Sequence, residues 1–413
     1  MNNFLKKMIY LILFIWSTNL FSQEIKYKLV ESEKTVTPIK SWHFLPGNKN
    51  KEVLKIAIQS DKIQWIGTSD NIDLPAGYIN TLFSRAGKYL GLASLIETSK
   101  ELTDDKIFKL EVFSNQGQAL FSIKRKQYYD EPLPLLIISD KDGSVVMGHS
   151  AIGKLWFYNN DGSLSKEVDL FSDDEYGLER ILKFDVTLSG RYIAVLANKR
   201  PASPEDADVP NPSGEPHLFF FTMGGEKVWQ QNLPELSGAQ AAISPDGESL
   251  IASSYSSDTK GNVSQSTIVF NRNGKKIANY NFLFRTANFS NDSKYSVIAG
   301  KKVAKCIDLQ TGRLKWTHKI DRTWGIITSV SIANDAKISA LLAAQNEFKD
   351  GGFIYTKPRV ILLNKLGQLI QELEINETFY TPALNISADY KTITLGFKKG
   401  YQVYQIERLN IDK

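Results

Sequence analysis

Side chains able to do chemistry are few in this chain of 413 residues, and they are poorly grouped. The four histidines, His43, His149, His217 and His318, show no HxxxH or HExxH spacing, so a histidine metal site has no local support. His318 shares the parity of Leu314 and Trp316 and reads as a packed strand residue. Gly148-His149-Ser150-Ala151-Ile152-Gly153 comes nearest to a nucleophile motif. It has a residue too many before its second glycine for a GxSxG elbow, and that elbow needs a strand-to-helix turn. Asp140-Lys141-Asp142-Gly143 and Asp173-Asp174-Glu175 carry oxygens that calcium could use. Neither completes a calcium loop, and Asp-Gly is ordinary turn chemistry, so no cofactor is expected. Cys306 is the single cysteine, which rules out an intramolecular disulfide or a cysteine zinc cluster. Beside Ile307 it reads as a small buried hydrophobe.

The elements that would position these groups begin after a distinctive N-terminus, MNNFLKKMIYLILFIWSTNLFSQ. Lys6 and Lys7 precede an unbroken apolar run from Met8 to Trp16, followed by polar Ser17 to Asn19 and a small residue at Ser22. The run is too short to cross a bilayer as a helix, which needs roughly 20 residues. Residues 1–22 therefore read as a cleaved signal peptide, with a periplasmic or secreted protein as the product and no membrane insertion afterwards. Removing Lys6 and Lys7 lowers the formal charge of +5 by two, to +3, too little on this length to argue for nucleic acid or an anionic membrane.

Beyond the N-terminus, two kinds of turn alternate. The first precedes a strongly apolar strand, as in SRAGKYLGLAS (84–94), SDKDGSVVMG (139–148), LSGRYIAVLA (188–197), SPDGESLIAS (244–253), SNDSKYSVIA (290–299), ANDAKISALLAA (333–344) and SADYKTITLG (387–396). The second is a tight hairpin rich in Gly and Asn or Asp, which tolerate the positive φ that such turns demand. It appears in FSNQGQALF, YNNDGSLSK, TMGGEKVW, NRNGKKIA, LQTGRLKW and NKLGQLIQ, with IQSDKIQW near Asp61 as a degenerate copy. The link from second to first type is nearly constant, and the other varies. Short strands at this spacing make an all-β fold, and a repeat of roughly 40 to 60 residues with four strands is the sign of a propeller blade. The expected architecture is a single β-propeller, with residues 78–413 carrying the repeats.

SPDGESLIA (244–252) resembles the WD-repeat-like repeat of bacterial periplasmic propellers, where Ser-Pro-Asp-Gly joins the inner strand to the second. CIDLQTGRLKW (306–316) resembles the repeat of quinoprotein-type propellers. The resemblance runs over roughly residues 78–408 and implies a fold, not an activity. The quinoprotein cofactor site does not carry over, because its adjacent cysteine pair cannot exist here.

Six complete turn pairs plus the stretch Phe379–Arg408 predict seven four-stranded blades. The last lacks a strand, which residues 23–77 would supply from Ile25–Val30 or from Lys62–Gly67, removing an open edge. An eighth blade built from residues 24–75 is the alternative.

In such a ring both kinds of turn lie on one face. Links between second and third strands, and between blades, lie on the other. All the long insertions fall on the second face: Glu97–Lys106, Lys199–Glu215, Ser256–Ser266 and Gln345–Lys357. The inter-blade links bring Tyr129, Asp130, Tyr176, Arg180, Arg285, Arg322, Trp324, Phe379 and Tyr380 toward the channel mouth. Aromatic and arginine side chains are favoured interface anchors. The expected function is an exported binding module that engages a protein or peptide through this loop-rich face. The alternative is a propeller hydrolase or lyase with a metal or carboxylates at the channel mouth.

Overall fold

The computed structural model describes residues 25–35, 39–46, 53–66, 71–97, 106–127, 132–149, 153–171, 180–199, 215–258, 260–349, 352–387 and 391–408. Among them lie eight antiparallel four-stranded sheets arranged as the blades of one propeller. The chain opens with β1 (Ile25–Lys34), which belongs to the last blade. Blade 1 is β2 (Ser41–Pro46), β3 (Val53–Ile58), β4 (Lys62–Trp65) and β5 (Asn71–Asp73). Blade 2 is β6 (Tyr78–Phe83), β7 (Tyr89–Glu97), β8 (Lys106–Ser114) and β9 (Ala119–Gln127). Blade 3 is β10 (Leu135–Ile138), β11 (Val145–His149), β12 (Lys154–Tyr158) and β13 (Leu164–Asp169). Blade 4 is β14 (Arg180–Val186), β15 (Tyr192–Lys199), β16 (Glu215–Thr222) and β17 (Lys227–Asn232). Blade 5 is β18 (Ser237–Ile243), β19 (Ser249–Ser257), β20 (Val263–Asn271) and β21 (Lys276–Tyr280). Blade 6 is β22 (Thr286–Phe289), β23 (Tyr295–Ala299), β24 (Val303–Asp308) and β25 (Leu314–Lys319). Blade 7 is β26 (Ile326–Ile332), β27 (Ile338–Lys349), β28 (Gly352–Asn364) and β29 (Leu369–Glu374). Blade 8 is β30 (Ala383–Ile386), β31 (Thr392–Phe397), β32 (Gly400–Arg408) and, outermost, β1.

The expected seven blades are thus corrected to eight, and the reason lies in residues 41–73. The turn at Asp61 joins β3 to β4, a second-to-third-strand link, although IQSDKIQW has the pattern of the third-to-fourth hairpins. That likeness hid a whole blade, whose outer strand is only three residues long and whose first turn carries no repeat signature. Of the two candidate closing strands, Lys62–Gly67 supplies β4 of blade 1. β1 closes the ring by pairing antiparallel with β32 from Ile25↔Arg408 to Lys34↔Gly400.

Middle strands lie between neighbouring blades on both faces, and the most apolar of them, YIAVLA of β15 and LFFF of β16, are buried but for Tyr192. Each cluster of the core spans two blades: Leu196 and Phe220 of blade 4 pack with Ile243, Leu250 and Phe270 of blade 5. Burying a phenylalanine such as Phe220 contributes roughly 1.5–3 kcal/mol. Outer strands such as β13, mostly exposed, present Lys166 and Glu167 to water and so blunt the sheet edge. Where an inner-strand aromatic meets the next blade, a glycine makes room. Gly396 of β31 faces the Trp42 ring, whose Nε1 donates to the Phe397 carbonyl at 2.8 Å.

Candidate binding site on the loop-bearing face

The antiparallel order of every blade puts the turns after first and third strands on one end of the ring. That end is bridged across its axis. Arg85, in the first turn of blade 2, reaches across and donates to the carbonyls of Val186 (2.6 Å) and Ile243 (2.7 Å), on the inner strands of blades 4 and 5. Its guanidinium also lies 3.9 Å from Asp185 and 5.8 Å from the Phe289 ring of blade 6, the blade opposite its own. Inner strands are the edges of their sheets, so these carbonyls have no ladder partner, and the arginine supplies one. Asp140 locks the same end. Buried, it accepts from Ser84 Oγ (2.5 Å) and from the Ala86 amide (2.7 Å). This carboxylate is structural, and Asp142 likewise accepts from its own turn through the Ser144 hydroxyl and amide. Among the described residues no group of three or more histidines, cysteines or acids is arranged to hold a metal.

On the opposite end the best-formed region covers blades 5 to 8. The link from blade 6 to blade 7 is a short 3-10 turn, Arg322–Trp324, capped by Asp321, whose Oδ1 accepts from the Thr323 amide (2.7 Å) and hydroxyl (2.6 Å). Those Thr323 bonds hold the Asp321 carboxyl below its ordinary range. Lys302 Nζ donates to the Arg322 carbonyl (2.8 Å) and to that of Gly325. Gln345 Nε2 donates to the Thr323 carbonyl at 3.0 Å. Gly325 adopts φ 79°, and a Cβ there would lie 1.9 Å from the Ala344 carbonyl oxygen, so only glycine fits. The turn is therefore held from both sides and presents Arg322 to solvent. Trp324 is half-buried beneath the Arg359 guanidinium, 5.4 Å from its ring, and Arg359 is itself paired with Glu372 and Glu374.

The next link, from blade 7 to blade 8, is fastened to the β27–β28 ribbon. Tyr355 and Phe379 exchange backbone hydrogen bonds of 2.9 and 3.1 Å, and their rings stack at 5.1 Å. Phe379 is buried, so it serves as a fastener rather than a contact residue. Tyr380 beside it is half-buried with Lys398 4.7 Å from its ring. Arg285, on the link from blade 5 to blade 6, is exposed; its amide donates to the Ala299 carbonyl at 2.8 Å. The structure therefore groups Arg322 with Trp324 and Phe379 with Tyr380 around blade 7, with Arg285 on the near side of blade 6. Tyr129, Asp130 and Tyr176 lie outside the described residues, as does the side chain of Arg180, whose backbone opens β14.

Sequence reading missed the main feature of this face. Gln345–Lys357 is no loose insertion. β27 and β28 pair from Ile338↔Asn364 out to Lys349↔Gly352, whereas β26 reaches only to the partner of Ala344 and β29 only to that of Arg359. The five pairs from Gln345↔Thr356 to Lys349↔Gly352 overhang the blade by about 17 Å. Near the tip Phe348 and Phe353 face each other at 5.4 Å and are 69% and 54% exposed. The Asp-Gly-Gly between two strand-like runs was the available signal. A shorter overhang follows β19 and β20, beside a shallow polar groove of about 530 Å³ lined by Ser256, Asp258, Asn262 and Asn281. Of the other long links, 98–105 and 200–214 lie outside the described residues, as does Asp173-Asp174-Glu175.

The remaining reactive types are in packed positions. Cys306 is fully buried in β24, and burial pushes its thiol up to about 12. His149 is buried at the end of β11, a middle strand; Ser150 lies outside the described residues. His318 Nδ1 is 3.2 Å from the Gly367 carbonyl, and burial lowers its pKa. His217 is likewise lowered by burial, with Glu215 pulling the other way. No helix among the described residues is long and apolar enough to cross a membrane.

No protein-family model matches the chain, and no curated protein matches its sequence. Solved propellers do match in shape. The C-terminal WD40 domain of Sif2 superposes with a TM-score of 0.54 at 11% identity, over 92% of this chain and 98% of that one. BamB from Moraxella catarrhalis gives 0.53 at 12% identity, over 92% and 100%. The Dos1 propeller gives 0.54 at 13% identity, over 92% and 95%. At these identities the likeness is one of fold. It agrees with the WD-repeat-like and quinoprotein-type repeats read from residues 244–252 and 306–316.

Proposed function

We propose that this protein is an exported binding module that engages a protein or peptide through its loop-bearing face, centred on blades 5 to 8. The observation that carries this reading is the β27–β28 ribbon. It overhangs its blade, is fastened at its base by Tyr355 and Phe379, and offers Phe348 and Phe353 to solvent. Exposed aromatic side chains on a rigid projection bury much area on contact at little entropic cost. The other end of the ring has tight turns and is bridged across its axis by Arg85, which favours the loop-bearing end as the one built for contact. The N-terminal basic-then-apolar pattern supports export to the periplasm or beyond.

The test replaces residues 347–354 with Asn-Gly, joining Asn346 and Tyr355 through a two-residue hairpin. The circular dichroism spectrum and melting curve should stay as in the parent. Capture of the partner from the native envelope, read by cross-linking and mass spectrometry, should be lost. Undiminished capture by the shortened protein would overturn the assignment of this face. Fractionation of cells that make the chain without residues 1–22 tests export, and the protein should then stay in the cytoplasm.

A further inference from the structure

Between the two overhanging hairpins of blades 5 and 7, blade 6 is cut short. β22 begins pairing at Thr286↔Ala299 and β25 ends at Val303↔Lys319, flush with the Gly300–Lys302 turn that joins β23 to β24. On one side, β19 and β20 continue past Tyr255, where β18 begins, to Ser257↔Val263. On the other, β27 and β28 continue for the five pairs described above. Blade 6 is thus the floor of a notch. Arg285 flanks that floor through its amide bond to Ala299, Lys301 lies in the turn, and Arg322 flanks it on the far side, tied to Lys302.

Arg285, Lys301 and Arg322 are all exposed, and none has a side-chain hydrogen bond, ion pair or ring contact among the described residues. The acids nearby are already engaged. Asp321 caps its own turn, and Asp258 accepts from the Lys260 and Asn262 amides (2.9 and 2.8 Å) and from the Asn262 side chain (2.7 Å). Those bonds come from neutral donors and leave the carboxylates charged, but the floor sets Arg285, Lys301, Lys302 and Arg322 against Asp321, an excess of positive charge on backbone that Lys302, Gln345 and Gly325 hold in place. The walls differ. Gln345, and with it Glu347 and Lys349, lie on the ribbon face toward this notch, opposite the face of Tyr355 and the exposed phenyl rings.

We infer that the notch over blade 6 receives an extended acidic segment of a protein partner, with its carboxylates on Arg285, Lys301 and Arg322. This rests on the binding reading above and names the partner's chemistry. An extended strand points every second side chain the same way, about 7 Å apart, so spaced carboxylates can face the floor while neutral residues pass Glu347. A bilayer cannot enter between two hairpins, and the Glu347–Lys349 wall adds no net positive charge for a continuous polyanion such as a nucleic acid.

The test uses the full mature chain and a fluorescein-labelled (Glu-Thr)5 peptide, with (Gln-Thr)5 as the neutral control, followed by anisotropy. The acidic peptide should bind, weaken as salt rises, and bind about tenfold more weakly to the R285E/R322E variant, because each exposed pair is modest and reversal adds repulsion. The R285K/R322K variant should retain most of the affinity. Equal binding of both peptides, or no change on charge reversal, would overturn the inference. So would duplex DNA or phosphatidylglycerol vesicles binding more tightly than the peptide and losing it in the same variant. Because these side chains have no partners to lose, both variants should melt with the parent. Envelope capture that survives R285E/R322E but fails when the ribbon is shortened would sink this inference and leave the binding face intact.

Discussion

Arg85 Nη1 lies 2.7 Å from the carbonyl oxygen of Ile243, so one side chain from blade 2 crosses the axis to an inner strand of blade 5. An eight-bladed ring leaves a wide channel bordered by unpaired strand edges, and this contact fills part of it from one end. Arg85→Met should cost about 2 kcal/mol, since hydrogen bonds from a charged donor to two carbonyls are lost at a partly exposed site. Arg85→Lys should recover only part of that, because an ammonium cannot fork as a guanidinium does. The urea midpoint reads both. An unchanged midpoint in Arg85→Met would show that the crossing contributes nothing to stability.

His43 stands on the inner strand of blade 1, with its ring 4.3 Å from that of Phe83 in blade 2. Burial lowers its pKa to about 4. The unfolded chain, with a histidine near the usual ~6.5, then binds more protons than the folded one between those values. The stability from the neutral ring is complete above about pH 6.5 and is lost as pH falls toward 4. Melting temperature followed from pH 7 to 4 should drop more steeply in the parent than in His43→Phe. Parallel curves would refute a neutral His43 in the folded chain.

The same region shows where sequence reading stops. Blades 2 to 7 announce themselves because Gly and Asn or Asp recur where positive φ is needed, as at Gly162, Gly274 and Gly367. Blade 1 lacks that punctuation, and its Asp61 turn falls at a different strand junction from the one its pattern suggested. Closure by β1 was legible as an alternative because an unpaired β32 edge demands a partner. Nothing in IKYKLVESEK specifies which edge it covers. Of the site, Arg285, Arg322 and Trp324 could be placed on the loop-bearing face by topology alone. The long reach of Arg85 to Val186 and Ile243 could not, because it joins residues 101 and 158 positions apart in the chain.

The closing strand is pinned by a polar cluster at the seam between blades 8 and 1. Glu31 Oε1 lies 2.5 Å from Lys55 Nζ of blade 1 and accepts from the Tyr401 hydroxyl, which also reaches Glu33 at 3.2 Å. Burial alone would raise the Glu31 carboxyl, but Lys55 and Tyr401 outweigh it and hold it below the usual range. Burial, and then Glu31, push the Tyr401 phenol up. A depressed carboxyl contributes stability above its unfolded value near 4.3, lost as pH falls through the folded value. A raised phenol contributes below about 10, lost as pH rises beyond it. Protection of the β1 amides against hydrogen exchange should therefore fall at both extremes, and Glu31→Gln should flatten the acid side. Uniform protection of β1 from pH 3 to 8 would exclude this pin.

Gly148 and Phe184 fix how closely blades 3 and 4 approach. A Cβ on Gly148 of β11 would lie 2.2 Å from Cζ of Phe184 on the inner strand β14, inside any real contact distance. Phe184 is buried with Ile137, Leu155 and Ile181, so the ring has no open side to which it can retreat. Gly148→Ala should therefore lower stability by about 1–3 kcal/mol, the cost of overpacking a filled core. Shrinking the ring in Gly148→Ala/Phe184→Leu removes the clash and should recover part of the loss. Phe184→Leu alone should destabilise by leaving a small void. The three variants form a double-mutant cycle, and the predicted coupling is favourable and larger than about 0.5 kcal/mol. Additive effects would show that the two blades are not held apart at this contact.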